Sequence, residues 1–195
     1  MSTKYKFHNP DGIYFISFAV VDWIDVFTRK AYKDMVIESL KYCCVHKGLR
    51  LFAWCIMTNH IHLIFGVKEQ FSHSELIRDF KKFTSKRILE AIIDNRQESR
   101  KGWMLERFRN AGQKRSNISN YQLWRHDNHP IEVYTPHIIA QKLNYIHLNP
   151  VRAGFVEEAH HYLYSSASAY HCGTGLIEIE LLDLPVSMMG YVRVE

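Results

Sequence analysis

Two spacings of apolar residues run through the chain. Ile13 to Val21 reads I-Y-F-I-S-F-A-V-V, rich in β-branched and aromatic residues and entered through Pro10-Asp11-Gly12, which predicts a strand after a turn. From Thr28 the period changes. Ala31, Met35, Val36, Leu40 and Cys43 recur at helical spacing, predicting a helix capped by Thr28 and stopped near Gly48. Leu51 to Met57 and Ile61 to Val67 are two further strands, close enough across Thr58-Asn59 to pair as a hairpin. Ser72 or Ser74 then opens a second helix through Leu76, Ile77, Phe80, Phe83, Ile88, Leu89 and Ile92, with Arg78, Lys81, Lys82, Lys86 and Arg87 on its other side. Residues 95–120 are polar, basic and weakly periodic, and are expected to be a mobile loop. Tyr121 to Arg125 suggests a short strand. Pro136 suits the first turn of a third helix running to about Asn149 and ended by Pro150. Beyond Gly154 no clear pattern emerges, and the chain contains no internal repeat.

Strand, helix, strand, strand, helix, short strand, helix, with short connections, predicts an α+β fold: a ferredoxin-like antiparallel sheet with helices packed on one face. The 195 residues suit one compact domain, 1–195, with a C-terminal extension after about residue 171. Apolar residues make up 47% and aromatic residues 13%, which argues against disorder over most of the length. No apolar run approaches the roughly 18 residues of a membrane span, and Met1 to Asn9 lacks a signal-peptide core. Cys43, Cys44, Cys55 and Cys172 match neither a zinc site nor a disulfide framework, so reduced cysteines and a cytoplasmic location are expected.

The formal charge of +5 is unevenly spread. Between Arg78 and Arg115 twelve Lys or Arg stand against five Asp or Glu, a local +7 that leaves the remainder at −2. Such a stretch fits a polyanion partner, whose condensed counterions are released on binding, and fits a solvated helix face equally well. Within 95–120, Arg100, Lys101, Arg107, Arg109, Lys114 and Arg115 are interleaved with Trp103 and Phe108. That combination suits phosphate contacts and base stacking on a single strand, or a plain connector.

Two segments carry candidate chemistry. In C-I-M-T-N-H-I-H-L-I-F, from Cys55 to Phe65, a strand would point His60 and His62 to one face and Ile61 and Leu63 to the other. Paired imidazoles on a rigid strand can begin a metal site, although the same alternation also describes a simple surface face. In K-L-N-Y-I-H-L-N-P-V-R-A-G, from Lys142 to Gly154, Tyr145 and Asn149 lie four apart on one helical face. A tyrosine there can be a nucleophile at phosphorus or a packed ring beside a capping Asn. His147, about 200° around the helix from Tyr145, should face elsewhere. His126, His129, His160 and His161 are read as surface or core residues.

Together the two segments resemble the single-tyrosine HUH transposases, and most closely their REP-associated tyrosine transposase branch. His60-Ile61-His62 corresponds to the two histidines around a hydrophobic residue that name the group. Tyr145, Ile146, Asn149, Pro150, Val151 and Gly154 match a Tyr-Ile-x-x-Asn-Pro-Val-x-x-Gly signature, and Tyr162-Leu163-Tyr164-Ser165-Ser166 resembles the branch's aromatic-Ser-Ser segment. K-K-F-T-S-K-R, from Lys81 to Arg87, is similar to the group's second helix. Thr58 departs from the proline common before the Asn-His of that group. The resemblance spans roughly residues 12–170.

The resemblance implies an HUH endonuclease fold and a divalent metal, magnesium or manganese, on His60, His62 and Asn149. It implies that Tyr145 attacks a phosphodiester of single-stranded DNA, expected at hairpin repeats, leaving a 5′-phosphotyrosine and a free 3′-hydroxyl that can later rejoin the strand. The expected DNA-binding residues are Arg78, Lys81, Lys82, Lys86, Arg87, Arg107 and Arg109. Both homodimers and monomers occur in the group, so a homodimer is one expectation. The competing reading is a domesticated DNA-binding protein without useful catalysis. A zinc hydrolase of the His-x-His barrel type fits poorly, because such barrels need about 250 residues of repeated βα units.

Overall fold

The computed structural model describes residues 7–113 and 121–190. The expected strand at the start is β1 (Tyr14–Ala19), and the expected hairpin is β2 (Leu49–Ile56) with β3 (His60–Val67), its turn closed by the Met57 N–H donating to the His60 carbonyl at 2.9 Å. A fourth strand, β4, covers Ile131–Glu132. All pairings are antiparallel and the sheet order is β2-β3-β1-β4. The fold is therefore the expected α+β arrangement.

Strand alternation divides the sheet into two layers. Tyr14, Ile16, Phe18, Ile61, Leu63 and Phe65 face α1 (Lys30–His46) and α2 (His73–Asp94): Phe18 lies 5.8 Å from Phe80, and Phe65 5.5 Å from His73, between ring centroids. Ile16, Phe18, Trp54, Ile61 and Phe65 are completely buried there. The opposite layer carries Phe15, Ser17, His60 and His62, and across it runs α4 (Pro136–Arg152). The expectation of helices on one face thus holds for α1 and α2, whereas α4 crosses the other face and brings Tyr145 and Asn149 to it.

Several boundaries differ from the sequence reading, each for a physical reason. Thr28 does not cap α1; its hydroxyl donates to the Asp25 carbonyl and accepts from Arg100, while Arg29 holds the cap position without a side-chain bond to the helix backbone. Ser72, by contrast, caps α2 through the Glu75 N–H. Within 95–120, residues Lys101–Gln113 form a helix, α3, with Met104 and Phe108 buried one turn apart. Their signal is brief and set among charges, so it is visible only once the pocket that receives Phe108 exists. Lys114 and Arg115 lie outside the described residues. Tyr121 to Arg125 is not a strand; only Trp124 bridges to Val20, with the Arg125 N–H donating to the Ala19 carbonyl.

Pro150 does not end α4, which continues to Arg152. A proline so close to the C-terminus forfeits one intrahelical bond and leaves little helix beyond it to disrupt. The stop is Gly154, at φ 73°: the Phe155 N–H reaches the Pro150 carbonyl and the Gly154 N–H the Val151 carbonyl, both at 2.9 Å. This is the paired-bond Schellman ending that a left-handed glycine permits.

The tail, without clear pattern in the sequence, closes the sheet. The Ile56 N–H donates to the Tyr164 carbonyl and the Ser166 N–H to the Trp54 carbonyl, so Tyr164–Ser166 run as a partner for the outer edge of β2. The short helix α5 (Ala167–Cys172) follows, and Glu180 continues along β2 by donating its N–H to the Leu51 carbonyl and pairing with Arg50. No helix among the described residues is long and apolar enough to cross a membrane, and all four cysteines are free.

Candidate active site

His60 and His62 open β3 and point to the layer crossed by α4. Their rings stand 4.6 Å apart at 74°. Pairing in β1–β3 sets Ser17 opposite His62, and the Ser17 hydroxyl meets His62 Nδ1 at 2.5 Å. The Nε2 of His62 remains directed across the sheet, where it accepts from Asn149 Nδ2 at 3.0 Å. One turn earlier on α4, the Tyr145 ring meets His62 edge-on at 5.1 Å and Phe15 at 5.8 Å, while staying 40% exposed. The helical spacing read from the sequence does bring Tyr145 and Asn149 to one face, and that face covers the histidine pair.

His60 is oriented by its neighbour. Asn59 Nδ2 donates to the Trp23 carbonyl at 3.2 Å and to Asp25 Oδ1 at 3.0 Å, which leaves Asn59 Oδ1 facing His60 Nδ1 at 2.7 Å. An amide oxygen only accepts, so His60 carries its proton on Nδ1 and presents a lone pair on Nε2. Burial lowers the His60 pKa to about 4, with Asp25 opposing weakly, and burial together with His60 lowers His62 to about 3. Both rings are neutral at pH 7. Two neutral imidazoles, each held through its other nitrogen, and one amide whose oxygen is a half-turn away form a donor set suited to a divalent ion.

A cavity of about 470 Å³ opens over this group, lined by Ser17, Ala19, Trp23, His60, His62, Arg125, Asp127, His129, Tyr145 and Asn149. Part of this lining escapes sequence reasoning. Ser17 is recognisable only from register, and Asn59 only from adjacency to His60. Arg125, Asp127 and His129 arrive because the chain leaves the edge of β1 after Arg125 and returns to it as β4. Trp23 is half-exposed and, with Asp22, adopts a left-handed backbone, at φ 55° and 53°. Its ring stands 5.6 Å from His60, with the Arg125 guanidinium 5.9 Å from its centre. Lys142, one turn before Tyr145, lies 5.1 Å over the Phe15 ring.

The expected basic residues are distributed differently. Lys81 turns inward, donating to the Arg125 carbonyl at 2.6 Å and to Asn128 Oδ1 at 2.7 Å, and burial lowers its pKa to about 8. It tethers the segment that supplies the cavity with Arg125. Arg78 pairs with Asp79, Lys86 with Glu90 and Arg87 with Glu38, while Lys82 is exposed; all stand on α2, behind the sheet from the histidines. Arg107 lies 4.0 Å from Asp22, beside Trp23, and Arg109 donates to the Tyr121 hydroxyl at 3.1 Å. His147 does face away from Tyr145: it is completely buried and bonds the Ser166 hydroxyl at 2.7 Å.

Residues 14–121 match the family described as IS200-like transposases. A Haemophilus influenzae protein named as a REP-associated tyrosine transposase is 25% identical over 169 residues, covering 85% of each chain. Among solved structures, a REP-associated tyrosine transposase bound to a REP hairpin superposes with a TM-score of 0.62 at 14% identity, over 100% of this chain and 99% of that one. A Deinococcus radiodurans transposase structure covers 75% of this chain and 94% of its own, at 18% identity and a TM-score of 0.44.

Proposed function

This chain belongs to the IS200-like transposase family, and from that premise we propose that it cuts and rejoins single-stranded DNA at hairpin repeats through a covalent 5′-phosphotyrosine on Tyr145. The carrying observation is that one helix delivers both Tyr145 and Asn149 to His62, the first edge-on at 5.1 Å and the second at 3.0 Å. A nucleophile and a third ligand beside two neutral imidazoles suit phosphoryl transfer, and they are not needed to pack a sheet.

In this reading His60, His62 and Asn149 hold a divalent ion, magnesium or manganese. When bound, such an ion would supply polarisation of the scissile phosphate and neutralisation of charge developing on its oxygens. Tyr145 gives up its proton, its oxygen bonds to phosphorus, and the bond from phosphorus to the 3′-oxygen breaks. The departing 3′-oxygen takes up a proton and becomes a free hydroxyl. Rejoining reverses these changes: a 3′-hydroxyl attacks the phosphotyrosine and the phenol leaves. The covalent link conserves the phosphodiester energy that hydrolysis would lose. Phe15 and His62 hold the Tyr145 ring, Ser17 and Asn59 hold the imidazoles, and Trp23, Arg125, Arg107 and Lys142 offer a stacking surface and positive charge at the mouth. All these groups come from a single chain, so a homodimer is not required for a complete site.

Hairpin DNA is the substrate class because the REP-associated relative of like fold is bound to a REP hairpin. The remaining expected contacts, from Arg78, Lys82, Lys86, Arg87 and Arg109, belong to this proposal as sites for flanking phosphates.

The test is adduct formation. A hairpin-bearing single strand labelled on its 3′ side, incubated with protein and Mg²⁺ or Mn²⁺, should yield a protein–DNA species that survives detergent. Tyr145→Phe and chelation should each abolish it. Absence of an adduct under every divalent metal, with hairpin binding intact, would favour a DNA-binding protein without catalysis; an adduct in Tyr145→Phe would remove the assigned nucleophile.

A further inference from the structure

Away from the cavity, a second set of ligating side chains sits on the turn between α4 and the segment that seals β2. Glu158, His160 and His161 each present one ligand atom, and these atoms all lie within 4.8 Å of one another. His160 Nδ1 is 3.5 Å from Glu158 Oε2, and the His160 and His161 rings are 4.2 Å apart. Behind them, the His171 ring of α5 stacks on His160 at 3.9 Å and 11°, fixing the plane of that imidazole.

The local backbone accounts for the convergence. Ala159–His161 is a 3₁₀ turn with Glu158 at its N-cap. With three residues per turn, positions three apart eclipse, which brings Glu158 over His161 while His160 is held from the side by His171. An ion bound at roughly 2.0–2.2 Å by nitrogen and oxygen ligands sets adjacent donors roughly 3–4 Å apart. Small rotamer adjustments span the difference. Two imidazoles and one carboxylate are a borderline-soft set that suits Zn²⁺, Ni²⁺, Co²⁺ or Cu²⁺, whereas Mg²⁺ prefers oxygen ligands and retains its water.

We propose that Glu158, His160 and His161 form a second metal site, selective for transition ions of the Zn²⁺ class and independent of the His60–His62 pair. The site leads directly into the sealing segment, where the Tyr162 hydroxyl donates to the Ile56 carbonyl at 2.9 Å and Tyr164–Ser166 pair with β2. An ion there fastens the turn from which that segment departs, so occupancy raises thermal stability without entering the cavity.

The test uses the full, untagged chain carrying His60→Ala and His62→Ala, which removes the first pair of imidazoles. Titration with Co²⁺ should show one saturable equivalent, seen as visible d–d absorption, displaced by Zn²⁺ and accompanied by a higher Tm. Mg²⁺ at the same concentration should do neither. Adding His160→Ala and His161→Ala should abolish Co²⁺ binding with the far-UV circular dichroism unchanged. Should that chain not fold, Glu158→Gln offers the same comparison, with an affinity at least several-fold lower expected. No saturable Co²⁺ binding in the first variant, or binding that survives loss of both imidazoles or is unchanged by Glu158→Gln, would overturn the second site.

Discussion

Ser17 has the leading part among side chains that do not themselves reach across the cavity. It holds His62 through Nδ1 and so decides which nitrogen faces Asn149. In the proposed metal centre, Ser17→Ala should weaken metal affinity by about 10- to 100-fold, the usual effect of losing the group that orients an imidazole ligand. The check is the Mn²⁺ concentration needed for half-maximal adduct formation, which should rise while the yield at saturating Mn²⁺ changes little. An unchanged requirement would mean that the strand alone fixes the ring. Sequence discloses the paired histidines, because alternation is a local property, but not Ser17, which is one hydroxyl in an apolar strand until register sets it against His62.

At the scale of elements, the connection between α2 and α3 shows what polar periodicity conceals. Glu98 is nearly fully buried and accepts from Arg29 Nε at 2.5 Å and from Arg100 Nε at 3.1 Å, with the Tyr32 hydroxyl at 3.4 Å. Arg100 also donates to the Asp25 carbonyl and to Thr28, tying the start of α3 to the approach to α1. Burial by itself raises the Glu98 pKa, but the hydrogen bonds from Arg100 and Arg29 outweigh it and hold the carboxyl at about 2, below its ordinary 4.5. A depressed carboxylate stabilises the fold fully above its unfolded pKa, and that contribution is lost as pH falls through the folded value. Glu98→Gln should therefore flatten the loss of stability between about pH 4.5 and 2. Glu98→Ala should cost about 2 kcal/mol at pH 7 in urea unfolding, since it removes a buried acceptor of charged hydrogen bonds while Arg29 and Arg100, each about a third exposed, stay solvated. In the sequence this carboxylate belongs to a stretch that reads as loop, because its partners Arg29 and Tyr32 lie at the far end of another element.

Across the whole molecule, Ser166 joins parts that are remote in sequence. Its hydroxyl accepts from the Trp54 N–H at 2.9 Å and meets His147 Nε2 at 2.7 Å, linking the tail, the edge of β2 and the buried side of α4. Because α4 carries Tyr145 and Asn149 on its other side, this contact helps set the height of the site above the sheet. Ser166→Ala leaves both groups short of a partner in a dry environment and should cost about 1–3 kcal/mol, measured by urea denaturation. It should also lower adduct yield more than an equally destabilising change on α1. Equal losses would show that stability alone is at work. The Tyr-Leu-Tyr-Ser-Ser run is recognisable as a pattern, but its task of closing a sheet edge is not written in its spacing.

The sequence by itself determined the strands around Ile16 and Leu63, the hairpin across Thr58-Asn59, the three long helices, and the shared face of Tyr145 and Asn149, all consequences of periodicity within one element. It also carried, through two motifs in a fixed order, the family to which the chain belongs. Tertiary structure alone decided that α4 crosses the opposite layer from α1 and α2, that Ser17 falls opposite His62, and that Lys81 turns inward to hold Arg125. It likewise decided that Met104 and Phe108 make a helix and that Gly154, not Pro150, ends α4. The reason is physical: a periodic pattern is fixed by neighbours a few residues away, whereas register, burial of a charge and choice of hydrogen-bond partner depend on groups that only folding brings together.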